Sequence, residues 1–204
     1  MTLNAPATPW LAKVPLGADG QAHALLIVHA DQAIAPTPAL RQVVEFEDNG
    51  QGGFISAAQA LDGRWGYIDA QGQWLIAPTL DNARGFSDDG LARFCRDGRW
   101  GYIDLLAQEV IAAQFEDARP LRNGLAAVKT GQHCWRIIDR QGRFTCESTF
   151  HQLDSFGAVG LALAEQWDAR SHQRLHGYVD HQGRWVIAAR FAQARAFDDH
   201  AVTA

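Results

Sequence analysis

The segment Gly63-Arg-Trp-Gly-Tyr-Ile-Asp69 returns as Gly98-Arg-Trp-Gly-Tyr-Ile-Asp104, a shift of 35 residues. A chain that restates one motif at a fixed step builds the same small unit several times and buries each unit against the next, and no other feature of this sequence limits its fold as tightly. The same shift carries Trp100 to Trp135 and Ile103-Asp104 to Ile138-Asp139, where Gly101-Tyr102 has become Arg136-Ile137. A fourth copy, His176-Gly-Tyr-Val-Asp180, is displaced further by an insertion from Glu165 to Arg174.

The downstream halves agree as well. Trp74-Leu-Ile-Ala-Pro78 matches Glu109-Val-Ile-Ala-Ala113 and Trp185-Val-Ile-Ala-Ala189. Leu80, Phe115, Phe150 and Phe191 follow, then Ala83-Arg84, Ala118-Arg119 and Ala194-Arg195. An apolar strand closes each copy: Gly90-Leu-Ala-Arg-Phe94, Gly124-Leu-Ala-Ala-Val128, Gly160-Leu-Ala-Leu163 and His200-Ala-Val202.

Each unit reads as three short strands. Arg64–Asp69 is rich in aromatic and β-branched residues, as strands are. Asp69-Ala-Gln-Gly72, Asp139-Arg-Gln-Gly142 and Asp180-His-Gln-Gly183 follow the first strand in three copies. An aspartate opening such a turn accepts a backbone N–H two residues on, and a closing glycine takes positive φ without a Cβ clash. Ala107 stands at that glycine position in the second copy. Trp65 and Tyr67 point to one face, Gly66 and Ile68 to the other, so both faces are largely apolar, which suits a unit held between neighbours. The glycine leaves a flat patch on which a large ring can pack. The segment Phe115-Glu-Asp-Ala-Arg-Pro-Leu121, anchored by Phe115 and Leu121 (Phe191 and Phe197 in the last copy), is expected to form a helical turn or a loop.

These units resemble bacterial WG repeats, whose pattern is a Trp-Gly-Tyr-Ile-Asp strand, a turn, a Val-Ile-Pro strand, then Phe-Asp-x-Ala-x-x-Phe and a Gly-Leu-Ala strand. The resemblance covers residues 63–204, with departures at Arg136-Ile137, His176 and Ala107. It divides the chain into an N-terminal segment, 1–62, and four repeats, 63–97, 98–132, 133–175 and 176–204, together one domain. Residues 22–60 are expected to hold a fifth, degenerate unit, since Ile34-Ala-Pro36 mimics Ile76-Ala-Pro78 and Gly53-Phe-Ile55 mimics a Gly-Leu-Ala strand. The expected fold is all-β: tandem three-stranded antiparallel meanders stacked as an open or ring-like array, with a β-propeller-like arrangement as the alternative. The resemblance implies a protein that mediates interactions.

Composition narrows the partners. A formal net charge of −5 argues against a generic phosphate-binding surface, so nucleic acid is not expected. No run approaches the roughly 18 apolar residues of a membrane helix, and the first ten residues lack the basic and apolar regions of a secretory signal. Three cysteines, Cys95, Cys134 and Cys146, cannot all pair within one chain, which suits a reducing compartment and a cytoplasmic protein. Basic charge is 16 Arg against 2 Lys, a bias that points to a GC-rich bacterial source.

No nucleophile elbow, phosphate loop or dinucleotide fingerprint is present, and neither a catalytic set nor a cofactor is expected. His133, Cys134 and Cys146, or His172, His176 and His181, lack the paired spacing of a structural zinc site. Trp65, Trp100 and Trp135 occupy repeat-phased packing positions, whereas Trp10 and Trp167 lie outside the phase and are surface candidates. Arg84, Arg119 and Arg195 share one repeat position, where the third copy has Asp154. With Asp81, Glu116 and Asp117 nearby they read as a ladder of surface ion pairs, each worth under about 1 kcal/mol, or as a stripe for an acidic peptide or other carboxylate ligand. The leading expectation is a non-enzymatic scaffold for a protein or peptide partner, of adaptor or toxin-neutralising type. Its candidate contact residues are Trp167 and Arg170 in the inserted loop, with Arg84, Arg119 and Arg195. A carbohydrate-binding module is the alternative and would need exposed coplanar aromatics. An enzyme with a site between repeats would need a deep pocket holding two or more titration-shifted groups.

Overall fold

The computed structural model describes residues 8–16, 22–29, 32–34 and 39–196. Ala35-Pro36, Phe197 and the closing strand proposed at His200–Val202 lie outside them. Among the described residues the backbone forms strands and no helix. β1 (Trp10–Leu16), β2 (Ala22–His29) and β3 (Gln32–Ile34) make a first antiparallel sheet. β4 (Leu40–Val43), β5 (Glu47–Asp48), β6 (Phe54–Ala60), β7 (Trp65–Asp69) and β8 (Trp74–Leu80) make a second, with β4 and β5 both pairing to β6. β9 (Asn82–Phe86), β10 (Leu91–Arg96), β11 (Arg99–Asp104) and β12 (Glu109–Phe115) form the third. β13 (Asp117–Ala118), β14 (Leu125–Gly131) and β15 (Cys134–Asp139) form the fourth. β16 (Gln152–Leu153), β17 (Ala162–Asp168), β18 (Gln173–Val179) and β19 (Trp185–Phe191) form the fifth.

The segment expected to be a helical turn or loop is instead a short strand (β9, β13, β16), so the sheets hold three to five strands where the sequence suggests three per unit. Its apolar residues alternate with polar ones too briefly to read as a strand alone, and pairing with β10, β14 and β17 makes it one. The sheet is also out of step with the sequence repeat: β9 and β10 come from residues 63–97, while β11 and β12 come from 98–132. In the degenerate N-terminal region, β6 takes the place of a Gly-Leu-Ala strand beside β7.

The turn after the Trp-Gly strand is built identically four times. Oδ1 of Asp69, Asp104, Asp139 and Asp180 accepts the N–H groups two and four residues on, at 2.8–3.0 Å. The residue three positions on has positive φ: Gly72 75°, Ala107 61°, Gly142 78° and Gly183 70°. Ala107 therefore holds a left-handed conformation that disfavours a Cβ.

The repeat glycine has a role beyond the flat patch that its residue type suggests. A Cβ on Gly101 would lie 2.5 Å from the Ile111 carbonyl oxygen, and at Gly66 and Gly177 the equivalent Ile76 and Ile187 oxygens would be closer still. The next strand crosses directly over the glycine through a bulge, seen as register shifts around Gly66 and Gly177. In the first copy a ring also packs there, with Trp74 against Gly66. Pro78 is tolerated in β8 because that strand is a bulged edge.

The third copy shows what happens without the glycine. Arg136 stands there, and no strand forms after the turn. Single bridges join Phe150 to Trp135 and Phe144 to Ile138 on either side of it. Between them the Arg136 guanidinium donates to the Cys146 carbonyl at 3.2 Å and lies 3.6 Å over the Phe144 ring. Cys146 and Phe144 are the repeat equivalents of Ile76 and Trp74. The side chain has taken the space over which that strand would cross.

The described residues fall into two compact units. One holds those up to Phe86 with Ala92–Gly98 and Tyr102–Glu109; the other holds Ser87–Leu91, Arg99–Gly101 and those from Val110 on. In the first, Ile27, Leu40, Val43, Phe46, Phe54, Ala58 and Ile68 pack together. In the second, Trp135, Ile137, Phe150, Leu153, Phe156, Ala164 and Val179 do so. Trp65 and Trp135 are buried as their phase suggests, while Trp100 is half-buried.

Three stability outcomes follow, each measurable by urea melts. Trp65→Ala costs about 3–5 kcal/mol, the range for emptying a large aromatic site, and Trp100→Ala costs less. Gly66→Val and Gly101→Val each cost about 3 kcal/mol because the backbone above cannot yield; wild-type midpoints for both would sink the crossing-strand account. Ala107→Gly stabilises by on the order of 0.5–1 kcal/mol by removing the Cβ from a left-handed position, and a loss of stability there would contradict it.

Candidate functional site

Where one sheet hands over to the next, the chain turns through a single residue: Asp81, Glu116 or His151. Each corner is pinned by its own N–H, donated to Cys95 O (2.9 Å), Lys129 O (2.8 Å) or Glu165 O (2.8 Å). The side chain at this fixed corner decides the local chemistry. Asp81 accepts from Arg64 and, at 3.0 Å, from the Gly98 N–H, and Glu116 faces Lys129 at 3.5 Å. In the third copy both the corner and the turn residue opposite have become histidines. His151 and His133 stack face to face, centroids 4.0 Å apart and 7° from parallel.

The insertion Glu165–Arg174 is not the surface loop it was expected to be. It lengthens the β17–β18 hairpin, with Glu165 opposite His176, Trp167 opposite Arg174 and Asp168 opposite Gln173. Complementary strand-forming residues on both arms let the ladder continue. Asp168 closes the tip, accepting from the Arg170 and Ser171 N–H groups (3.2 Å each) and the Ser171 hydroxyl (2.6 Å). Trp167, 46% exposed, reaches back to His151 at 6.4 Å and His172 at 6.5 Å.

Beneath this hairpin opens a cleft of about 410 Å³ lined by Asp117, Arg119, Lys129, His133, Trp135, His151, Gln152, Glu165 and Arg174. Arg119 lies 4.7 Å over the Trp135 ring and 3.9 Å from Asp154. Glu165, nearly buried, sits 3.6 Å from Arg174 and 3.9 Å from His176. Asp117 accepts from the Ala118 N–H at 2.8 Å. Burial, with His133 alongside, pulls His151 below its ordinary value of 6.5, against the opposing pull of Glu165.

The five candidate contact residues fall in different places. Trp167 and Arg170 are together on the hairpin, and Arg119 lines the cleft. Arg195 borders a separate opening with His176 and Gln193, its carbonyl accepting from the Tyr178 hydroxyl at 2.7 Å. Arg84 lies exposed in the other unit, its carbonyl accepting from the Tyr67 hydroxyl at 3.1 Å. The shared arginine position thus has a backbone function, to cap the repeat tyrosine, and burial pushes the Tyr67 hydroxyl well above its ordinary value. Lys129 and His151 carry no motif, His133 entered only as a candidate metal ligand, and Glu165 and Arg174 entered only as part of the insertion. The available signal was departure from phase: His133 where Gly63 and Gly98 stand, and His151 where Asp81 and Glu116 stand. Among the described residues no three His, Cys, Asp or Glu side chains converge to hold a metal. Cys146 packs on Gly183, and the Cys134 sulfur accepts from the Thr130 hydroxyl at 3.4 Å.

The family described as WG containing repeat matches at residues 65–100, 100–132 and 177–199. These stretches are WG repeats. The match omits the third copy as a separate unit, the one whose Trp-Gly pair has become Trp135-Arg136. A search of the curated proteins finds no match. Among solved structures, this chain is similar at 16% identity and TM-score 0.43 to a puromycin hydrolase mutant complexed with PGG, covering 86% of this chain and 33% of that one. It is similar to HIRA(644-1017) at 8% identity and TM-score 0.36, covering 89% and 53%. A protein of unknown function from Bacteroides caccae gives 14% identity and TM-score 0.33, covering 90% and 78%. The chain spans a third of the hydrolase and about half of the HIRA fragment. Likenesses this distant say nothing of activity. Among the described residues no helix is long and apolar enough to cross a membrane.

A histidine lowered in the folded state binds fewer protons there than in the unfolded chain, so the stability it contributes is present above its unfolded value and is lost as pH falls through its folded value. The melting temperature is therefore expected to drop as pH is lowered below 6.5, the ordinary value of His151. A His151→Phe variant, which keeps the stacked ring, should lose that part of the slope. An unchanged slope in the variant would assign it to other groups.

Proposed function

We propose that this WG-repeat chain is a non-enzymatic scaffold for a protein or peptide partner, engaged by the lengthened β17–β18 hairpin and the cleft beneath it. The observation that carries this reading is Trp167. It is a large aromatic ring left 46% exposed on the one hairpin that the sequence lengthens, with Arg170 at its tip and Arg174 directly across the ladder. Trp and Arg are the side chains most enriched at interface hot spots. The strand pairing behind them holds the ring in place, which lowers the ordering cost of binding.

A carbohydrate-binding reading draws on the same ring, because His133, His151 and Trp167 form a row at its base. It loses Trp65 and Trp135 as platforms, since both are buried. Trp167→Ala combined with Arg170→Ala is expected to leave the melting temperature within about 2 °C of wild type, as surface changes usually do, while abolishing capture of the partner in a paired pull-down. A lowered melting temperature with capture intact would make the hairpin a structural cap. Retention of the wild-type protein on an immobilised glycan, lost in the variant, would favour the carbohydrate reading.

A further inference from the structure

We propose that the cleft under the β17–β18 hairpin recognises carboxylates on an acidic segment of the partner, with Lys129 and Arg174 as the contacting cations. The proposal rests on the scaffold reading above and names the chemistry of what is bound. Its basis is a contrast among the ion pairs. Outside the cleft, Arg143 meets Asp139 and Arg184 meets Asp180 at 2.8 Å, each also through Nε at 2.8 Å. These are the short, charge-assisted bonds of a satisfied arginine. Inside the cleft, Lys129 stands 3.5 Å from Glu116 and Arg174 stands 3.6 Å from Glu165. Both separations exceed hydrogen-bond length. An ammonium has three donors and a guanidinium five, so most of this capacity points elsewhere.

The acidic groups of the lining already have partners within the protein. The Asp117 carboxylate accepts from a backbone N–H, and the Glu165 side chain is 11% exposed between Arg174 and His176, whereas the Arg174 side chain is 57% exposed. A ligand entering the cleft therefore meets Arg174 before Glu165. Arg119, flat on the Trp135 face at 4.7 Å, is held in one orientation as a third contact. The His133–His151 stack supplies imidazole N–H groups, and the ring faces of His133, His151 and Trp135 in the lining supply surface for the methylene stems of glutamate side chains. A volume of about 410 Å³ lies within the usual range of ligand sites. The chain's net charge of −5 opposes an acidic partner at long range, so recognition must be local to the cleft.

The chain has two lysines, Lys13 and Lys129, which makes the test specific. The full-length protein is mixed with a fluorescein-labelled peptide of alternating glutamate and glycine, and separately with its glutamine counterpart. Fluorescence polarisation reads affinity, and carbodiimide coupling followed by peptide mapping reads position. The glutamate peptide is expected to bind, the glutamine peptide to bind at least about tenfold more weakly, and the coupled amide to form at Lys129. Lys129→Gln combined with Arg174→Gln should lower affinity for the glutamate peptide on the order of tenfold with an unchanged melting temperature. Equal affinity for both peptides, coupling at Lys13 alone, or full affinity in the double variant would each overturn the proposal. So would displacement of the peptide by inorganic polyphosphate at equal charge, which would mean that charge alone is read. Loss of partner capture in the Trp167 and Arg170 variant together with no acidic-peptide binding would remove this assignment while leaving the scaffold reading standing.

Discussion

The close passage of one strand over the glycine of its neighbour is the constraint on which the rest of each repeat depends. At Gly66, Gly101 and Gly177 the backbone of the following strand comes nearer than any side chain permits. That approach bends the edge strand through a bulge, which adds twist and re-aims the chain toward the next sheet. The adjoining Asp turn fixes the entry to the crossing with two hydrogen bonds in every copy, to the N–H groups two and four residues on. Arg136 supplies the contrast within the same molecule. One side chain in the glycine's place leaves two isolated bridges where a ladder would run, and its guanidinium takes up the carbonyl and ring that it has displaced.

The regular parts of the repeat are occupied with holding the fold. Trp65 and Trp135 are buried, the Tyr67 and Tyr178 hydroxyls cap backbone carbonyls, and each turn aspartate accepts two backbone N–H groups through Oδ1. Chemistry that is free to face a ligand lies where the pattern breaks. The third copy carries the histidine corner, the arginine in place of glycine and, immediately after it, the lengthened hairpin. Local departures from a self-consistent pattern are where functional sites are expected, because there the scaffold no longer dictates the residue. The cleft meets that description with His133, His151 and the arms of β17 and β18.

Much of this was legible in the chain itself. The step of 35 residues, the strand-turn-strand core of each copy, the aspartate at each turn and the burial of both faces of the Trp-Gly strand are all short-range consequences of residue type and spacing, since turn chemistry and strand alternation act over a few residues. The WG repeats at residues 65–132 and 177–199 follow from the same residues. Other features depended on contacts that sequence spacing does not encode. The Phe-Asp segment is too short to declare itself a strand, and becomes one by pairing with β10, β14 or β17. The glycine was legible as special, but its reason is a carbonyl some ten residues away that reaches it only when the bulge has formed. The insertion gave its length and composition, yet whether it looped out or extended the ladder depended on which residues faced each other across it. The cleft itself was decided by tertiary structure alone. Lys129 lies in β14, His133 in the turn before β15, His151 at the corner before β16 and Arg174 in β18; no local pattern links them, so only the folding of these strands together brings their charges and rings to one place.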